Sequence, residues 1–428
     1  MTYPASVRFL YSLGNEVRTI KLGLERIRAL SQALGDVHRA CRFVHVAGTN
    51  GKGSTCAMIA SGLRAARFRT MLFTSPHLVE PVERIQIDGR AVSTEQFTEA
   101  FEKVHEAAER MLALGTIDFH PTYFETVTAM ALTLARDLNV TWGVIEVGLG
   151  GRLDATNIIE PELSVITPID YDHEAFLGKS IAAIATEKAG IIKPSTHVLL
   201  APQRREAEAV LRARAVEAGA PVTLSSDWQI DDLILEPAGC RFSAIRGATR
   251  LNLRCPLAGE HQVTNALTAA AALDLLGLPA PPIESGLADV HWPGRLERVA
   301  TDPEIILDGA HNPAGARVLA AHIRRFYQNR RVWLIYGAMR DKAVAEVASI
   351  LFEEASEVIL TAPDQSRAVR PQAVREMLDE PDLKTAPTLK DAIAMAKADA
   401  TPGDVIFITG SLFLIGEAKR LFSGPHVQ

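Results

Sequence analysis

The stretch Phe43-Val-His-Val-Ala-Gly-Thr-Asn-Gly-Lys-Gly-Ser-Thr55 determines how the rest of the chain is organised. Its first five residues are mostly apolar and rich in valine, which predicts a buried strand. Residues 48–54 predict a glycine-rich loop, and a helix is expected from Thr55 onward. A strand, a glycine loop and a helix start form an anion site, because backbone N–H groups, the helix dipole and Lys52 all attract phosphate. The expected ligand is a nucleoside triphosphate with Mg²⁺.

The loop departs from the common phosphate-loop pattern in two places. Val46 stands where the first glycine belongs, and Gly53 separates Lys52 from the hydroxyl of Ser54. A strand-to-helix turn without any ligand would also explain the glycines. The order of strand, lysine, hydroxyl and helix favours the phosphate site over that alternative.

Composition limits the class of protein. The chain has 428 residues, of which 47% are hydrophobic and 22% charged, so two domains with separate cores are expected. A net charge of −6 and a pI of about 6.1 argue against a nucleic-acid partner. The cysteines are far apart in the sequence, which predicts neither a disulfide framework nor a zinc site and fits a reducing cytosol.

The same features predict a cytoplasmic protein without a membrane partner. The N-terminus lacks the apolar segment of a secretory signal. The most apolar helix, near residues 266–278, contains Asp274 and is too short to cross a bilayer. This helix is therefore interpreted as buried.

Strands and helices alternate over the first 200 residues. The spacing of Leu22, Ile27, Leu30 and Leu34 predicts helix between residues 4 and 39, and Ser93 with Gln96 predicts a capped helix start. Alternation of this kind indicates a parallel, doubly wound sheet. The predicted strands are 43–47, 69–74, 142–147, 163–167 and 197–201, and the predicted helices after the loop are 93–114, 122–138 and 181–189.

The second half of the chain changes character twice. Residues 222–256 predict a small antiparallel sheet, and the proline-rich segment 279–282 is expected to interrupt the pattern. Residues 290–295 resemble a linker, after which strands are predicted at 304–307, 332–335, 357–360 and 405–408. The fold class is therefore α/β: a P-loop doubly wound parallel sheet domain with a small antiparallel sheet, followed by a smaller Rossmann-like α/β domain. The predicted boundaries are 1–292 and 297–428.

Polar side chains follow the ends of several predicted strands. Ser54, Ser75, Glu146 and His173 come from four separate units and are expected to converge, because ligands of such sheets bind beyond the carboxyl ends of the strands. A charged Glu146 inside an apolar strand is costly unless a cation compensates it. Mg²⁺ held by Ser75 and Glu146 would do so. A nearby Lys or Arg is the alternative, and His173 alone fits a structural role as well as a ligand role.

Two further polar segments are ambiguous from the residues alone. Lys188 lies at the end of a predicted helix, where a lysine usually interacts with the helix dipole. Asp308-Gly-Ala-His-Asn-Pro313 follows a strand in the second half. There Asp308 could accept bonds from ribose hydroxyls and His311 could contact an anion, while turn chemistry explains only Asn312-Pro313.

Taken together, the motifs resemble those of the folylpolyglutamate synthase and dihydrofolate synthase family, which belongs with the Mur ligases. The resemblance extends in order over most of the chain. It is carried by Gly-Thr-Asn-Gly-Lys-Gly-Ser at 48–54, Thr-Ser-Pro-His-Leu at 74–78, Glu-Val-Gly-Leu-Gly-Gly-Arg-Leu-Asp-Ala-Thr-Asn at 146–157, Glu-Lys-Ala-Gly-Ile-Ile-Lys at 187–193, Trp-Pro-Gly-Arg-Leu-Glu at 292–297 and Asp-Gly-Ala-His-Asn-Pro at 308–313.

The resemblance implies an ATP-dependent ligase that attaches L-glutamate through an amide bond. A substrate carboxylate attacks the γ-phosphate to give an acyl phosphate, from which the amine of glutamate displaces phosphate. Mg²⁺ is implied at two sites, one held by Ser75 and Glu146 and the other by His173. Lys188 matches a lysine that the family carbamylates, which would make it a carboxylate able to hold metal.

The remaining implied roles divide between ATP and the two acids. The implied catalytic residues are Lys52, Lys188 and His311, and the implied ATP-binding residues are Gly51, Lys52, Gly53, Ser54, Asn265, Arg295 and Asp308. The implied substrate-binding residues are Thr122, Tyr123, Phe124, Glu125, Arg152, Leu153, Asp154 and Ser411. In that list Asn265 is expected to reach the adenine, whereas Ser411, like His311, is assigned to the glutamate side.

Three functions remain open at this stage. The first is a monomeric ligase joining glutamate both to dihydropteroate and to reduced folates. The second is a monofunctional folylpolyglutamate synthase, or a ligase that uses another pterin-like acid. The third, from a different class, is a P-loop kinase or switch, against which the second domain with Arg295 and Asp308 argues.

Overall fold

The computed structural model describes residues 1–14, 23–340 and 343–422, and its helices and strands alternate along the chain. The helices are α1 (Tyr3–Ser12), α2 (Glu25–Ala33), α3 (Lys52–Ala65), α4 (Thr94–Ala113), α5 (Tyr123–Asp137), α6 (Glu174–Leu177), α7 (Ile181–Lys188), α8 (Arg205–Glu217), α9 (His261–Leu275), α10 (Ala280–Ala288), α11 (Pro313–Tyr327), α12 (Val344–Phe352), α13 (Pro371–Leu378), α14 (Leu389–Asp399) and α15 (Leu412–Phe422).

The strands belong to three sheets. They are β1 (Arg42–Ala47), β2 (Thr70–Phe73), β3 (Ile85–Ile87), β4 (Arg90–Ala91), β5 (Trp142–Glu146), β6 (Leu163–Ile166), β7 (His197–Leu200), β8 (Val222–Leu224), β9 (Gln229–Glu236), β10 (Gly239–Arg246), β11 (Thr249–Cys255), β12 (Glu297–Thr301), β13 (Glu304–Leu307), β14 (Val332–Tyr336), β15 (Glu357–Leu360), β16 (Lys384–Thr385) and β17 (Val405–Thr409).

The first sheet has the order β4-β3-β2-β5-β1-β6-β7-β8 and is parallel except for β3 and β4 at one edge. Strand β1 lies between β5 and β6, with Val46 opposite Glu146 and Val165. Successive strands after β1 are thus added on both of its sides, which places the switch point of the sheet at the carboxyl end of β1. Ligands bind at such a point in open α/β sheets.

Helices cover both faces of this sheet. On one face, Val44 and Val46 of β1 pack with apolar residues of α3, α9 and α10 and of the small antiparallel sheet. On the other face, Phe43 packs with residues of α1, α2, α4 and α5. The alternation of β1 between the two clusters follows the two-residue period of a strand. The expected doubly wound fold is confirmed.

The C-terminal sheet has the order β12-β13-β17-β14-β15-β16, in which only the pairing of β12 with β13 is antiparallel among the described strands. Its central strands are fully buried between two clusters of apolar side chains. The small sheet β11-β10-β9 is antiparallel, as expected. The four strands predicted in the second half correspond to β13, β14, β15 and β17.

Some sequence predictions were wrong in detail. The helix expected over 4–39 is divided into α1, α2 and a short 3-10 turn at Val37–Arg39, while Leu22 and the rest of 15–22 lie outside the described residues. The proline-rich segment 279–282 does interrupt the helical pattern, between α9 and α10, but it also starts α10, because a proline fits the first turn of a helix. Residues 222–224 form β8, which joins the first sheet in parallel.

The cysteines are closer in space than in sequence. Cys240 and Cys255 stand directly opposite each other on β10 and β11, and both are free thiols. Sequence spacing could not reveal this pairing, since it depends on the register of the antiparallel sheet. The predicted capping box at Ser93 is confirmed, with the side chains of Ser93 and Gln96 accepting each other's backbone N–H.

Candidate active site

A cavity of about 780 Å³ is lined by residues from the carboxyl ends of β1, β5 and β6 and by residues that follow β13 and β17. Ligand sites in proteins commonly have volumes of about 300–1,000 Å³. Every residue that the sequence assigns to catalysis, ATP, metal or substrate lines this one cavity. The expected convergence of Ser54, Ser75, Glu146 and His173 is confirmed.

The glycine loop takes a conformation that other residues would not fit. Gly51 has a φ of 83° and immediately precedes α3, and a Cβ atom there would lie 2.3 Å from Oδ1 of Asn265. A Cβ atom on Gly53 would lie 2.7 Å from the ring of Trp292. The glycine between Lys52 and Ser54 therefore makes room for Trp292. Helix α3 directs its N-terminus toward the cavity, as an anion site requires.

Two lysines donate to carbonyl oxygens of the loop. Lys52 Nζ lies 3.1 Å from the carbonyl oxygen of Thr49, and Lys188 Nζ lies 2.7 Å from that of Gly48. Lys188 is buried, and burial together with the neighbouring Lys52 lowers its pKa to about 7, although Asp172 and Asp154 oppose this. Its amine is thus available in neutral form near neutral pH. The interpretation of Lys188 as a simple helix-dipole partner was wrong.

Glu146 lies buried at the end of β5. One of its carboxylate oxygens accepts the backbone N–H of Ser75 at 3.1 Å. Burial raises its pKa, while Lys52, the Ser75 N–H and Arg295 act in the opposite direction. A buried carboxylate beside a hydroxyl and a phosphate loop is a suitable oxygen ligand for Mg²⁺.

A chain of hydrogen bonds connects the loop to α9. Gln262 donates to Ser54 Oγ at 3.3 Å and accepts from the amide of Asn265 at 2.9 Å. All three side chains are buried. The amide of Asn265 thus lies against the phosphate loop, and its expected contact with adenine stays a prediction.

Asp308 and Arg295 contribute from the C-terminal side. The carboxylate of Asp308 accepts the backbone N–H groups of Leu296 at 3.0 Å and Ala310 at 2.9 Å. Burial raises its pKa, and Arg295 is the largest influence that lowers it. Because Arg295 also lowers the pKa of Glu146, its guanidinium acts on carboxylates of both sheets.

Two polar contacts join the first sheet's loops to the segment after β13. Asn312 donates its amide to Oδ1 of Asn50 at 3.0 Å. Asp172 lies 3.8 Å from Nε2 of His173 and 3.7 Å from Nε2 of His311. The phosphate loop and the segment that carries Asp172 and His173 therefore face the same C-terminal segment, 308–313.

Several side chains expected to bind substrate are used in local structure. Thr122 and Glu125 form the capping box of α5, and Glu125 also pairs with Arg26 at 2.7 Å. Asp154 accepts the N–H groups of Leu149 and Thr156 and so shapes its own loop. Their substrate roles stay predictions.

The other predicted substrate residues make fewer hydrogen bonds within their own loops. Tyr123 stacks on Tyr11 with ring centroids 5.8 Å apart. Arg152 is half-exposed and pairs with Glu187 at 2.9 Å, whereas Ser411 is buried and accepts the N–H of Phe413. Phe124 and Leu153 add apolar lining.

Sequence reasoning missed five residues of the site. These are Asn50, Asp172, His261, Gln262 and Asn312, all but Gln262 on the cavity surface. Asp172 had a signal, because it lies beside His173 at a strand end. The others depend on contacts between distant segments, as the Asn50–Asn312 bond shows.

This geometry defines a class of protein. A phosphate loop, buried carboxylates and a second sheet that closes the same cavity make an ATP-dependent ligase of the Mur type. Two family models agree with it: the Mur ligase middle domain matches residues 46–273, and the Mur ligase glutamate ligase domain matches residues 294–412.

Individual relatives show which family of Mur ligases the chain belongs to. A dihydrofolate synthase/folylpolyglutamate synthase of Bacillus subtilis is 34% identical over 94% of this chain and 95% of its own. A probable bifunctional folylpolyglutamate synthase/dihydropteroate synthase of Haloferax volcanii is 36% identical over 99% of this chain, which spans only 51% of that relative. The crystal structure of Mycobacterium tuberculosis folylpolyglutamate synthase complexed with ADP and AMPPCP superposes with a TM-score of 0.91 at 34% identity, covering 99% of each chain. The chain belongs to the folylpolyglutamate synthase and dihydrofolate synthase family.

The lengths and compositions of the helices bear on whether any of them could cross a membrane. In the described ranges, each helix falls short of the length or the apolar character needed to cross a membrane.

Proposed function

We propose that this protein uses ATP to join L-glutamate to dihydropteroate and to reduced folates, through an acyl phosphate. The observation that carries the proposal is the single cavity shared by the phosphate loop of the first sheet and by Arg295, Asp308 and His311 of the C-terminal side. A ligase needs three substrates in one space, and water must be kept from the acyl phosphate. A kinase or switch would not need the C-terminal segment.

In this proposal the loop and its lysine hold the triphosphate. The N-terminus of α3 and Lys52 stabilise the charge of the transferring phosphoryl group. Gly51, Gly53 and Ser54 approach the phosphates, while Asn265, Arg295 and Asp308 contact the nucleoside. In the hydrogen bonds described, Lys52 Nζ donates to the neutral carbonyl oxygen of Thr49, a bond that phosphate oxygens can replace.

The residues present also fit Mg²⁺. Ser75 and Glu146 would hold one ion, and His173 would take part in a second site, near Asp172. When bound, the ions would neutralise charge on the phosphates. The raised pKa of Glu146 agrees with this fit, since a buried carboxylate gains most from a cation close by.

Lys188 is proposed to be carbamylated. Carbamylation adds CO₂ to the neutral amine with loss of one proton, and the lowered pKa of Lys188 supplies that amine. The product is a carboxylate on a long stem, which suits a metal-rich site. An unmodified ammonium would instead repel the cation.

The acids would bind on either side of the γ-phosphate. The segments 122–125 and 152–154, with the aromatic rings of Tyr123 and Phe124, would receive the pterin. His311 and Ser411 would receive glutamate. The substrate carboxylate attacks the γ-phosphorus and releases ADP, and then the glutamate amine attacks the acyl carbon, loses a proton and releases phosphate.

The proposed domains are 1–292 and 297–428, and the predicted linker, residues 290–295, lies at their boundary. Closure of the second domain would complete the site, because Arg295 belongs to the linker and Asp308 and His311 lie beyond it. The protein is proposed to act as a cytoplasmic monomer. Its net charge of −6 gives no reason to add nucleic acid as a partner.

The test is ADP release measured with each substrate omitted in turn. The proposal expects release that depends on both the acid and glutamate, with dihydropteroate and tetrahydrofolate monoglutamate each supporting it. Release with tetrahydrofolate alone among the acids would identify a monofunctional folylpolyglutamate synthase. Release that needs neither acid nor glutamate would contradict ligation and favour a kinase or switch.

A further inference from the structure

Three side chains outside the active-site cavity form a compact group near the end of α4. His105 and Glu109 lie one turn apart on this helix, and His120 lies in the connection to α5. One ligand atom from each of the three lies within 4.8 Å of the others. None of the three lines the cavity described above.

The nitrogen atoms that face the group have no hydrogen-bond partner. Within the described residues, this holds for Nδ1 of His105 and Nε2 of His120, both of which are shielded from solvent. Each lies 3.8 Å from the same oxygen, Oε1 of Glu109, which is beyond hydrogen-bond distance. Buried polar atoms are rarely left without partners, so these two call for an explanation.

The tautomer of His120 favours a ligand role. Its Nδ1 lies 2.9 Å from the carbonyl oxygen of Pro121. A carbonyl oxygen only accepts hydrogen bonds, so Nδ1 carries a proton, and in the neutral ring Nε2 presents its lone pair to the group. Histidines that bind metals are commonly oriented by such a bond from the other ring nitrogen.

Aromatic rings hold both imidazoles in place. Phe9 contacts the ring of His105 at 4.5 Å and that of His120 at 5.4 Å between centroids. Phe101 stacks on His105 at 5.4 Å. These contacts fix the rings without using the nitrogen atoms. Glu109 is 55% exposed and can adjust its position.

We propose that His105, Glu109 and His120 bind a divalent transition-metal ion, with Zn²⁺ as the best-fitting case. Two imidazoles and one carboxylate are a common ligand set for Zn²⁺, with water as the fourth ligand. Ligand atoms about 2.1 Å from a tetrahedral Zn²⁺ stand about 3.4 Å apart. The two separations of 3.8 Å from Oε1 of Glu109 exceed this by about 0.4 Å, which the exposed Glu109 can close.

Such an ion would connect α4 to the start of α5. His120 is followed by Pro121 and by Thr122, the N-cap of α5, and Tyr123 and Phe124 of its first turn line the active-site cavity. The ion would therefore fix the segment that carries part of the cavity wall. Its role is structural, because all three ligands lie outside the cavity.

The experiment measures Zn²⁺ bound per protein in the full chain, with excess Mg²⁺ and ADP to occupy the nucleotide site. The wild type is expected to bind one more Zn²⁺ than His120→Gln, and Glu109→Gln is expected to bind at least tenfold more weakly. Glu106→Gln, an exposed change on the same helix, is the matched control and should leave binding unchanged. Zn²⁺ should raise the melting temperature of the wild type and not that of His120→Gln.

Acidification separates this site from a simple ion pair. Zn²⁺ and protons compete for the imidazole nitrogen atoms, so the affinity for Zn²⁺ should fall on acidification, whereas a histidine–carboxylate ion pair would strengthen. Equal Zn²⁺ stoichiometry in the wild type and His120→Gln would overturn the proposal. So would binding that Glu109→Gln leaves unchanged, since the three residues would then only form histidine–carboxylate contacts.

Discussion

The two sides of the cavity differ in how firmly their groups are held. On the first-sheet side, Lys52, Lys188, Ser54 and Glu146 are each hydrogen-bonded to the phosphate loop or to an element beside it. On the C-terminal side, Asp308 is fixed within its own loop. Contacts such as Asn50–Asn312 and Asp172–His311 reach across to the other side.

This difference indicates that the two sides of the cavity have different tasks in binding. The first side is organised before any ligand arrives, as tight binding of a polyphosphate requires. The second side meets the first through contacts such as Asn50–Asn312, and in the proposed closure these would form and break as three substrates enter and three products leave. Substitutions on the two sides should therefore have effects of very different size.

Lys52→Ala should have the largest effect. Lys52→Ala removes a full positive charge at the start of α3. The ADP release that depends on the acid and glutamate should fall about 10²–10³-fold, which is the usual loss for one transition-state donor. The melting temperature should change little, because the ammonium bonds only a loop carbonyl. Lys179→Ala, at an exposed position near the same sheet edge, is the control. Near-normal turnover in Lys52→Ala would contradict the proposal that Lys52 binds the phosphates of ATP.

Lys188→Ala should come next, with a loss of about 10–100-fold, as for other groups that tune a metal site. If the missing group is a carboxylate on a stem, acetate or formate should restore part of the turnover. Lys188→Glu should recover little, because its carboxylate sits on a shorter arm. Failure of any small acid to rescue, together with an unmodified mass for the lysine in CO₂-saturated buffer, would contradict carbamylation.

Lys188 also predicts a pH dependence of stability. In CO₂-free buffer its folded-state pKa of about 7 lies below the ordinary value of 10.5, so the unfolded chain binds the proton more tightly. Stability should rise with pH between about 7 and 10.5, by up to about 1.4 kcal/mol per pH unit. That contribution is lost progressively as pH falls from about 10.5 to 7, because the buried amine must then carry a charge that burial and the neighbouring Lys52 disfavour. Urea unfolding of Lys188→Met should lack this slope; an equal slope in both proteins would show that other groups cause it.

Asn312→Ser should have the smallest effect. Serine can still cap α11, but its shorter side chain does not reach Asn50, so one hydrogen bond of about 0.5–1.5 kcal/mol is lost. The expected drop in kcat/KM is about 2–10-fold, with little change in melting temperature. A double-mutant cycle with Asn50→Ala measures the coupling directly. Strictly additive effects would mean that the bond does not contribute to turnover.

Much of the first side could be predicted from the sequence, because its signals are local. The strand before Gly48, the helix after it and the capped start of α4 are all encoded within a few residues. Elements with short or exposed strands, such as β8, β12 and β16, give too little periodicity to be recognised. Helix α8 was not predicted for the same reason: its buried face is narrow and gives a weak helical period.

The second side was predicted only in part. Asp308 and His311 stand out because they follow an apolar strand directly. Asn312 resembled a plain turn residue, and its contact with Asn50 spans 262 positions of the chain. Such a contact depends on how the two sheets pack, which no pattern of neighbouring residues encodes.

Asn312 has a further consequence because it uses both ends of its amide. Its oxygen accepts the N–H of Gly315 at the start of α11, while its nitrogen reaches Asn50. The bond inside α11 does not depend on the position of the first sheet, so the side chain would keep its rotamer in an open state of the proposed closure. Ordering a free side chain costs about 0.5–1.5 kcal/mol, and here the helix start has already ordered it. In the proposed closure, Asn50 would therefore meet an amide whose orientation is already set.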